Sequence, residues 1–245
     1  MNFLPAWKYQ MDGMKWPLII FYIVIAALLA LMGIAMSIVI REQNQFSVGG
    51  LETASAVFIF IAGLNSFKST FHMFSANGIS RKTMFISFIA AIGVVAVGMA
   101  VIDSVYSLIM RTIGNYEPAF MQMYGLDPAN GAYIPTALLW MFCSNLVAGM
   151  IGYLITTLYY RMNKAVKLLV SIGVPILLLF VLPIVDTALF NGVVMNTVGW
   201  FIGWASGLAS GNPYMGVISN ILLTAIFGIL SFIALRRAPV KAKQQ

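Results

Sequence analysis

The sequence contains little charge and almost no cysteine. Only 9% of its 245 residues are charged, whereas 61% are hydrophobic, and the mean hydropathy is +0.93. Soluble domains are about a quarter charged, so a water-soluble fold of this length could not bury so much apolar surface. The single cysteine, Cys143, lies in an apolar run, which excludes an intrachain disulfide and a Cys/His metal site. We interpret Cys143 as a small buried apolar side chain.

The sequence also lacks the motifs of an enzyme. It has no Gly-Lys pair and therefore no G-x-x-x-x-G-K-[ST] phosphate loop. His72 has no second metal ligand near it, and the pair Ser144 and Asn145 is more simply a hydrogen-bonding contact between helices than a catalytic pair. We therefore expect no catalytic residue, cofactor or metal in this chain.

Six long apolar runs make up most of the chain. They cover residues 17–40, 51–74, 84–110, 134–160, 168–190 and 214–235. A helix needs about 20 such residues to cross a bilayer, and unbroken runs favour helices over the short alternating strands of a barrel. The expected fold class is all-α integral membrane, with six transmembrane helices in a single domain over residues 1–245.

Basic residues predict the orientation, because Lys and Arg are retained on the cytoplasmic side of short loops. With the N-terminus inside, every basic residue except Arg41 and Arg111 falls on the inner side. The sequence thus predicts a multi-pass protein of a prokaryotic cytoplasmic membrane, with the N-terminus and the tail at 236–245 both cytoplasmic. The net charge of +7 indicates an inner face against anionic lipid and no nucleic-acid partner.

The segment before the first span, residues 1–16, has an amphipathic pattern. Its apolar residues recur at helical spacing, at Phe3, Trp7, Met11 and Met14. This predicts a helix lying in the inner membrane interface. Because a residue before proline is pushed away from helical geometry, we expect the helix to end ahead of the Trp16-Pro17 pair. A frayed tail is the alternative.

Residues 191–213, between the fifth and sixth spans, are apolar enough to suggest a seventh span. A seventh crossing would place the basic tail outside, so we predict a re-entrant segment that dips into the outer leaflet. Glycines every four residues predict one helix stripe without side chains, suited to an outer gate or to dimer packing. They are Gly199, Gly203, Gly207 and Gly211. Trp200 and Trp204 fit interfacial anchors, and a mobile outer loop is the alternative.

The connection between the second and third spans carries the most specific local pattern. Phe67, Phe71 and Phe74 form a helical stripe that leads into a short turn. Asn77-Gly78 is a typical helix stop, because glycine adopts the left-handed cap conformation. Ser80 is expected to cap the next helix with its hydroxyl, while Arg81 and Lys82 stay in water.

In its predicted architecture the chain resembles the ABC-2 superfamily of ABC exporter permeases. The elements that carry the resemblance are an interfacial N-terminal helix, six spans, this turn after the second span and a glycine-rich re-entrant segment before the sixth. The resemblance covers the whole chain as architecture, and its sequence motif, Gly78 to Lys82, is short. It implies that the turn couples to a separate ATPase, on which ATP and Mg would bind. The implied coupling residues are Phe71, Phe74, Asn77, Gly78, Ser80, Arg81 and Lys82.

The resemblance also implies partners and cargo. Six helices are half of the family's usual unit, so a second permease copy, most simply in a homodimer, is expected. Small residues suit either that interface or packing within one chain. They are Ala26, Ala30 and Gly33 in the first span and Gly149 and Gly152 in the fourth. The small bacterial half-permeases that this chain most resembles export peptides, antibiotics or lipid-like compounds.

The spans carry no charge near their middle. Asp103 and Asp186 are expected near outer helix ends, within reach of water. This pattern favours hydrophobic or amphipathic cargo. The alternatives left open are an ion-coupled secondary transporter, an intramembrane enzyme and a non-transporting immunity or assembly subunit.

Overall fold

The computed structural model describes residues 3–39, 48–113, 116–126 and 133–239. Its α-helices are α1 (Phe3–Val39), α2 (Glu52–Asn65), α3 (Lys68–Ala76), α4 (Arg81–Ile113), α5 (Ala119–Tyr124), α6 (Tyr133–Arg161), α7 (Lys164–Ile176), α8 (Leu182–Leu189), α9 (Val193–Ala205) and α10 (Pro213–Arg236). A π-helical turn at Leu177–Val181 joins α7 to α8, and a 3-10 turn at Leu208–Ser210 precedes α10. Arg41 and the tail beyond Pro239 lie outside the described residues.

Among the described residues, six helical stretches are long and apolar enough to cross a membrane. They are Phe3–Leu31, Glu52–Ala76, Arg81–Thr112, Tyr133–Arg161, Lys164–Leu189 and Pro213–Arg236. The second stretch combines α2 and α3, and the fifth combines α7, the π-helical turn and α8. An all-α membrane protein with six apolar spans is thereby confirmed.

The first span begins earlier than the sequence predicts. α1 runs without interruption through Pro17, so the predicted break after Trp16 is wrong. Proline removes one backbone hydrogen bond, and a membrane helix tolerates that loss because its neighbours hold the remaining turns. The buried face of the first turns is also different, since it consists of Ala6, Gln10 and Met14.

Three short elements in the α1–α2 and α4–α6 connections were not predicted. Strand β1 (Val48–Gly49) pairs in parallel with strand β2 (Tyr116–Glu117), and α5 follows directly. A side chain at Gly49 would collide with the carbonyl oxygen of Glu117, so only glycine permits this pairing. The strands tie the connection before α2 to the connection after α4.

Glycines bring α2 and α6 into close contact. A Cβ atom at Gly63 would collide with the carbonyl oxygen of Gly149, and one at Gly152 would collide with that of Phe60. Small residues allow such backbone approach, which is a main source of helix association in lipid. Gly149 and Gly152 therefore serve packing within the chain, and their alternative assignment to a dimer interface is wrong.

The described residues fall into two differently packed regions. The body comprises α1–α6 and α10, with α6 in extensive contact with α2 and α10. The arm, residues 164–205, comprises the fifth span and α9. Asp186 is the only buried residue between Lys164 and Ala205, so the arm leaves its apolar side chains almost entirely uncovered.

Candidate functional site

The turn between α3 and α4 has the geometry that its sequence predicts. Gly78 takes a left-handed conformation with φ of 68°. The Ile79 N–H donates to the Phe74 carbonyl oxygen at 2.9 Å, which is the hydrogen bond of a Schellman helix stop. The Asn77 side-chain amide also donates to the Met73 carbonyl at 2.8 Å. The backbone of the turn is therefore held by several mutually supporting hydrogen bonds.

Ser80 caps α4, as predicted. The Thr83 N–H donates to the Ser80 hydroxyl at 3.1 Å, and the two hydroxyl groups lie 2.8 Å apart. This bond satisfies one of the free N–H groups at the start of α4. The turn thus ends α3 and begins α4 within four residues.

The phenylalanine stripe lies inside the chain. Phe67 and Phe71 are fully buried and stack on each other, with ring centroids 5.1 Å apart. Tyr160 of α6 meets both rings edge-on, and Tyr9 of α1 packs on the buried Phe74 at 5.7 Å. Phe71 and Phe74, which the resemblance implies as coupling residues, are therefore buried within the chain rather than exposed to a partner. They support the turn from beneath.

Arg81 also makes its contacts within the chain. Its guanidinium donates to the carbonyl oxygen of Leu235 at 3.2 Å and to that of Arg236, at the C-terminal end of α10. It also lies 5.9 Å from the centre of the Phe71 ring. Cations bind well to the free carbonyl groups of a helix C-terminus. The expectation that Arg81 stays in water is wrong, whereas Lys82 is exposed as expected.

The N-terminal turns of α1 join the same end of the body. The Gln10 amide donates to the Met84 carbonyl oxygen at 3.2 Å and to the Ser87 hydroxyl at 2.8 Å. α1, the α3–α4 turn and the C-terminus of α10 therefore meet at one place, which we call the turn end. Exposed basic residues surround it, namely Lys8, Lys15, Lys68, Lys82, Arg161, Arg236 and Arg237.

A lateral apolar groove begins beside the turn. It has a volume of about 500 Å³, lies between α4, α6 and α10, and has Lys82 in its lining. Phe85, Met150 and Phe232 are among its apolar residues. The groove combines a long apolar surface with a single cation.

The glycine-rich segment does not form the predicted stripe. Only Gly199 and Gly203 lie in α9, which ends at Ala205. Gly207 and Gly211 take left-handed conformations on either side of the 3-10 turn. A Cβ atom at Gly199 or Gly203 would meet nothing within 4 Å, so neither mediates close packing within this chain. A Cβ atom at Gly207 would collide with the Asn212 carbonyl oxygen.

Asp186 is buried, which corrects the expectation that water reaches it. It is 1% exposed, and its two carboxylate oxygens accept hydrogen bonds from the Val194 N–H at 2.9 Å and the Met195 N–H at 2.8 Å. A carboxylate at a helix N-terminus is favoured by the free N–H groups and by the helix dipole. Asp186 therefore fixes the direction in which α9 leaves the fifth span.

A buried polar cluster at the opposite end of the body was missed. Glu52 of α2 and Asp103 of α4 are 5% and 1% exposed. The Tyr22 hydroxyl of α1 donates to Asp103 Oδ1 at 3.0 Å, and the Ala119 N–H donates to Glu52 Oε2 at 3.3 Å. The expectation that Asp103 lies within reach of water is thus wrong.

Tyr116 of β2 lies beside the same cluster. Its phenol oxygen accepts a hydrogen bond from the Leu51 N–H at 3.1 Å. Burial raises the pKa of the Tyr116 phenol, and the nearby Glu52 carboxylate adds to the rise. The phenol therefore stays protonated at physiological pH.

The chain matches no protein-family model, no curated protein and no solved structure. Its resemblance to ABC-2 permeases therefore depends on the order of its elements and on the short turn motif.

Proposed function

We propose that this chain is the membrane subunit of an ATP-driven exporter of the ABC-2 type, with ATP hydrolysed on a separate ATPase. The observation that carries this proposal is the α3–α4 turn, which is stiff, basic and joined to α1, α6 and α10. A permease that is driven by a separate ATPase needs a contact that transmits the movement of the ATPase without deforming. The hydrogen bonds of Gly78 and Ser80 and the buried rings of Phe71 and Phe74 supply that stiffness.

In this proposal the residues that contact the ATPase are different from the buried residues that stiffen the turn. Asn77, Gly78 and Lys82 are exposed and available to a partner. Arg81 transmits movement, because its bonds to Leu235 and Arg236 link the start of α4 to the end of α10. A displacement of the turn would then move α4 and α10, two of the three helices that line the apolar groove.

The groove is the proposed cargo contact. Its apolar lining suits a hydrophobic or amphipathic compound such as a peptide, an antibiotic or a lipid-like molecule. Lys82, which is exposed at the turn end, would favour cargo with an anionic group there, because opposite charges attract.

The uncovered arm supports a second copy of the chain as a partner. Apolar exposure to lipid carries little cost, yet a span with few contacts among the described residues, such as the 3.1 Å contact of Ser171 with Tyr159, is free to pack against another one. Ala26 and Ala30 on α1 are exposed as well and could approach a neighbouring helix closely. We propose a homodimer in a prokaryotic cytoplasmic membrane, with the N-terminal turns of α1 near the inner interface and α9 re-entrant from outside.

The orientation has its own test. The basic residues at the turn end favour the cytoplasmic side. In a Cys143→Ala background, a single cysteine at Asn196 should react with an impermeant reagent in intact cells, while one at Ser75 should react only after lysis. The opposite labelling pattern would show that the turn faces the outside of the cell, where no ATPase could bind it.

The coupling role is tested by purifying the tagged chain from its native membrane and identifying the ATPase that accompanies it. Lys82→Glu should reduce the recovered ATPase at least about fivefold, because it reverses a charge on the proposed contact surface. Gly78→Val should also reduce it, since a β-branched residue at a left-handed position costs about 1 kcal/mol or more. Lys8→Glu, at the same end but away from the turn, is the matched control. Recovery of no ATPase with correctly folded wild-type chain would contradict the proposal.

An ion-coupled secondary transporter is the second candidate function. The buried carboxylates of Glu52 and Asp103 favour it, because charges inside a membrane protein often mark ion pathways. Transport by reconstituted chain under an ion gradient, without any ATPase, would select this function over the first.

A further inference from the structure

The lateral apolar groove lies where α4 and α10 diverge. α10 packs closely on α6 but has few contacts with α4. Ile92 and Met150 form the buried floor of the groove. Ile89 and Ile229, which are 41% and 61% exposed, stand at its open edge. The groove therefore opens sideways, toward the surrounding bilayer.

The lining of the groove favours an apolar occupant over water. Lys82 and Thr224 are its only polar side chains, and the Thr224 hydroxyl donates to the Asn220 carbonyl oxygen of its own helix at 2.8 Å. Water in such a space would find too few polar partners, while an empty groove would leave its lining without van der Waals contacts. A flexible hydrocarbon chain supplies those contacts.

The length of the groove matches one leaflet of a membrane. Along α4 the lining extends from Lys82 to Ile92, which is about 15 Å at a helical rise of about 1.5 Å per residue. The hydrocarbon core of a bilayer is about 30 Å thick, so one leaflet supplies about half of that depth. A single acyl chain thus suits the groove in length as well as in polarity.

Two cations flank the groove where it meets the turn end. Lys82 belongs to the lining, and the guanidinium of Arg236 lies 5.9 Å from the centre of the Phe232 ring, which also lines the groove. Arg81 holds the two helix ends together through its hydrogen bonds to α10. Lys82 and Arg236 are exposed, and neither forms an ion pair with any described residue. This end of the groove therefore carries positive charge that the described chain leaves unbalanced.

The three helices around the groove do not supply the missing negative charge. α6 and α10 contain no acidic residue. The single acid of α4, Asp103, lies about 30 Å along the helix from Lys82. The occupant must therefore bring a negative charge at one end of an apolar chain.

We propose that the groove binds one acyl chain of an anionic phospholipid, whose phosphate contacts Lys82 and Arg236. Basic side chains at the membrane surface attract anionic lipid headgroups, and a guanidinium pairs well with phosphate. Because the groove is also the proposed cargo contact, this inference rests on the proposed function in so far as lipid and cargo share one surface. It names the chemical class of one ligand of that surface.

The first test compares two lipids with identical acyl chains, added to the purified, delipidated full chain in detergent. Dioleoylphosphatidylglycerol should raise the unfolding temperature saturably by at least about 3 °C and bind at least about fivefold more tightly than dioleoylphosphatidylcholine. Lys82→Gln combined with Arg236→Gln should reduce this preference to less than about twofold. Lys8→Gln combined with Lys15→Gln is the matched control, since it removes two exposed charges near the turn but outside the groove lining and should keep the preference.

The second test fills the groove. Ile229→Trp adds a large side chain at its open edge and should weaken the binding of both lipids at least about fivefold, because the acyl chain loses its place. Leu230→Trp is the matched control, since Leu230 is exposed on the same helix and is not part of the lining. Native mass spectrometry counts the bound lipids in each variant.

The proposal is overturned if both lipids bind equally to wild type, if the Lys8 and Lys15 variant loses the preference as well, or if Ile229→Trp binds lipid like wild type. Self-crosslinking of Ile229→Cys in a Cys143→Ala background would also overturn it, because the groove would then be covered by a second copy. None of these measurements needs an ATPase or export. Lipid binding and the proposed coupling to an ATPase can therefore fail separately.

Discussion

The body and the arm are both built from apolar helices, and the span of the arm is the most apolar of the six, but only the body is packed. In the body, Gly63 and Gly152 let α2 and α6 touch along their backbones, and aromatic rings fill the space beneath the α3–α4 turn. In the arm, a single buried carboxylate, Asp186, orients α9, and no apolar side chain of α7 is buried. The two regions therefore differ in what their small residues meet: Gly63 and Gly152 touch the backbone of another helix, whereas Gly199 and Gly203 touch none.

This difference follows from the solvent. Lipid tails are as apolar as leucine, so an uncovered span in a bilayer is not penalised as it would be in water. Association instead depends on close backbone approach and on buried hydrogen bonds. The body has both, whereas the arm keeps its surface for lipid or, as we propose, for a second copy.

The largest expected effect comes from filling the α2–α6 contact. Gly152→Leu places a side chain against the Phe60 carbonyl oxygen, where the backbone cannot yield without separating the helices. We expect a destabilisation of about 3 kcal/mol. Gly173→Leu in α7 is the matched control, since a Cβ atom there meets only the flexible side chain of Leu169, at 4.0 Å. The yield of monodisperse protein and its thermal unfolding temperature are measured for both variants. If the two variants behave equally, the body is no more tightly packed than the arm.

The sequence was sufficient for features that depend on local chemistry. Span positions follow from the length of apolar runs, and the turn follows from Asn77-Gly78 and Ser80, because left-handed glycine and hydroxyl caps act within a few residues. The continuous α1 was not predicted, since the rule for Pro17 holds in water and is weakened where neighbouring helices hold the chain.

Long-range contacts were beyond sequence reasoning. In the sequence, Arg81 cannot be told apart from a basic residue in a solvated loop. Its partners in α10 lie more than 150 positions away. Glu52 follows a polar loop in the sequence, and the Ala119 N–H that it binds lies 67 positions away. A usable signal existed in α4, where Asp103, Tyr106 and Ser107 share one helix face at spacings of three and four. Polar residues repeated on one face of a span indicate a buried surface.

A second, smaller effect is expected at the base of the arm. Asp186→Asn leaves one acceptor oxygen for the two N–H groups of Val194 and Met195, and it removes the negative charge at the start of α9. Because hydrogen bonds to charged groups contribute more than neutral ones, we expect a local loss of about 2 kcal/mol. Hydrogen exchange should accelerate in Val193–Ala205 and stay unchanged in α2 and α6. Asp12→Asn, at an exposed position of α1, is the control. Faster exchange throughout the body would mean that the arm is part of the same cooperative unit.

A third effect concerns the link between α4 and α10. Arg81→Gln removes the charged donor from the Leu235 and Arg236 carbonyl oxygens, and we expect about 1.5 kcal/mol of destabilisation. The exposed Arg237→Gln is the matched control. Hydrogen exchange in the last turn of α10 reports the change directly. Unaltered exchange there would show that the Arg81 contact contributes nothing to holding α10.

The smallest expected effect is at Gly203 in the arm. A Cβ atom at Gly203 meets no atom within 4 Å, and leucine is a better helix former than glycine, so we expect Gly203→Leu to change the stability of the monomer by less than about 1 kcal/mol. If α9 packs against a second copy or forms an outer gate, however, the added side chain should weaken the dimer or reduce export at normal membrane levels. Crosslinking in membranes and unfolding of the detergent-purified monomer separate the two effects. Gly199→Leu, one helical turn earlier and equally open, shows whether the sensitivity follows one face of α9. Normal export and crosslinking in both variants would leave the arm as a lipid-facing element, while a destabilised monomer would mean that the arm packs against the body.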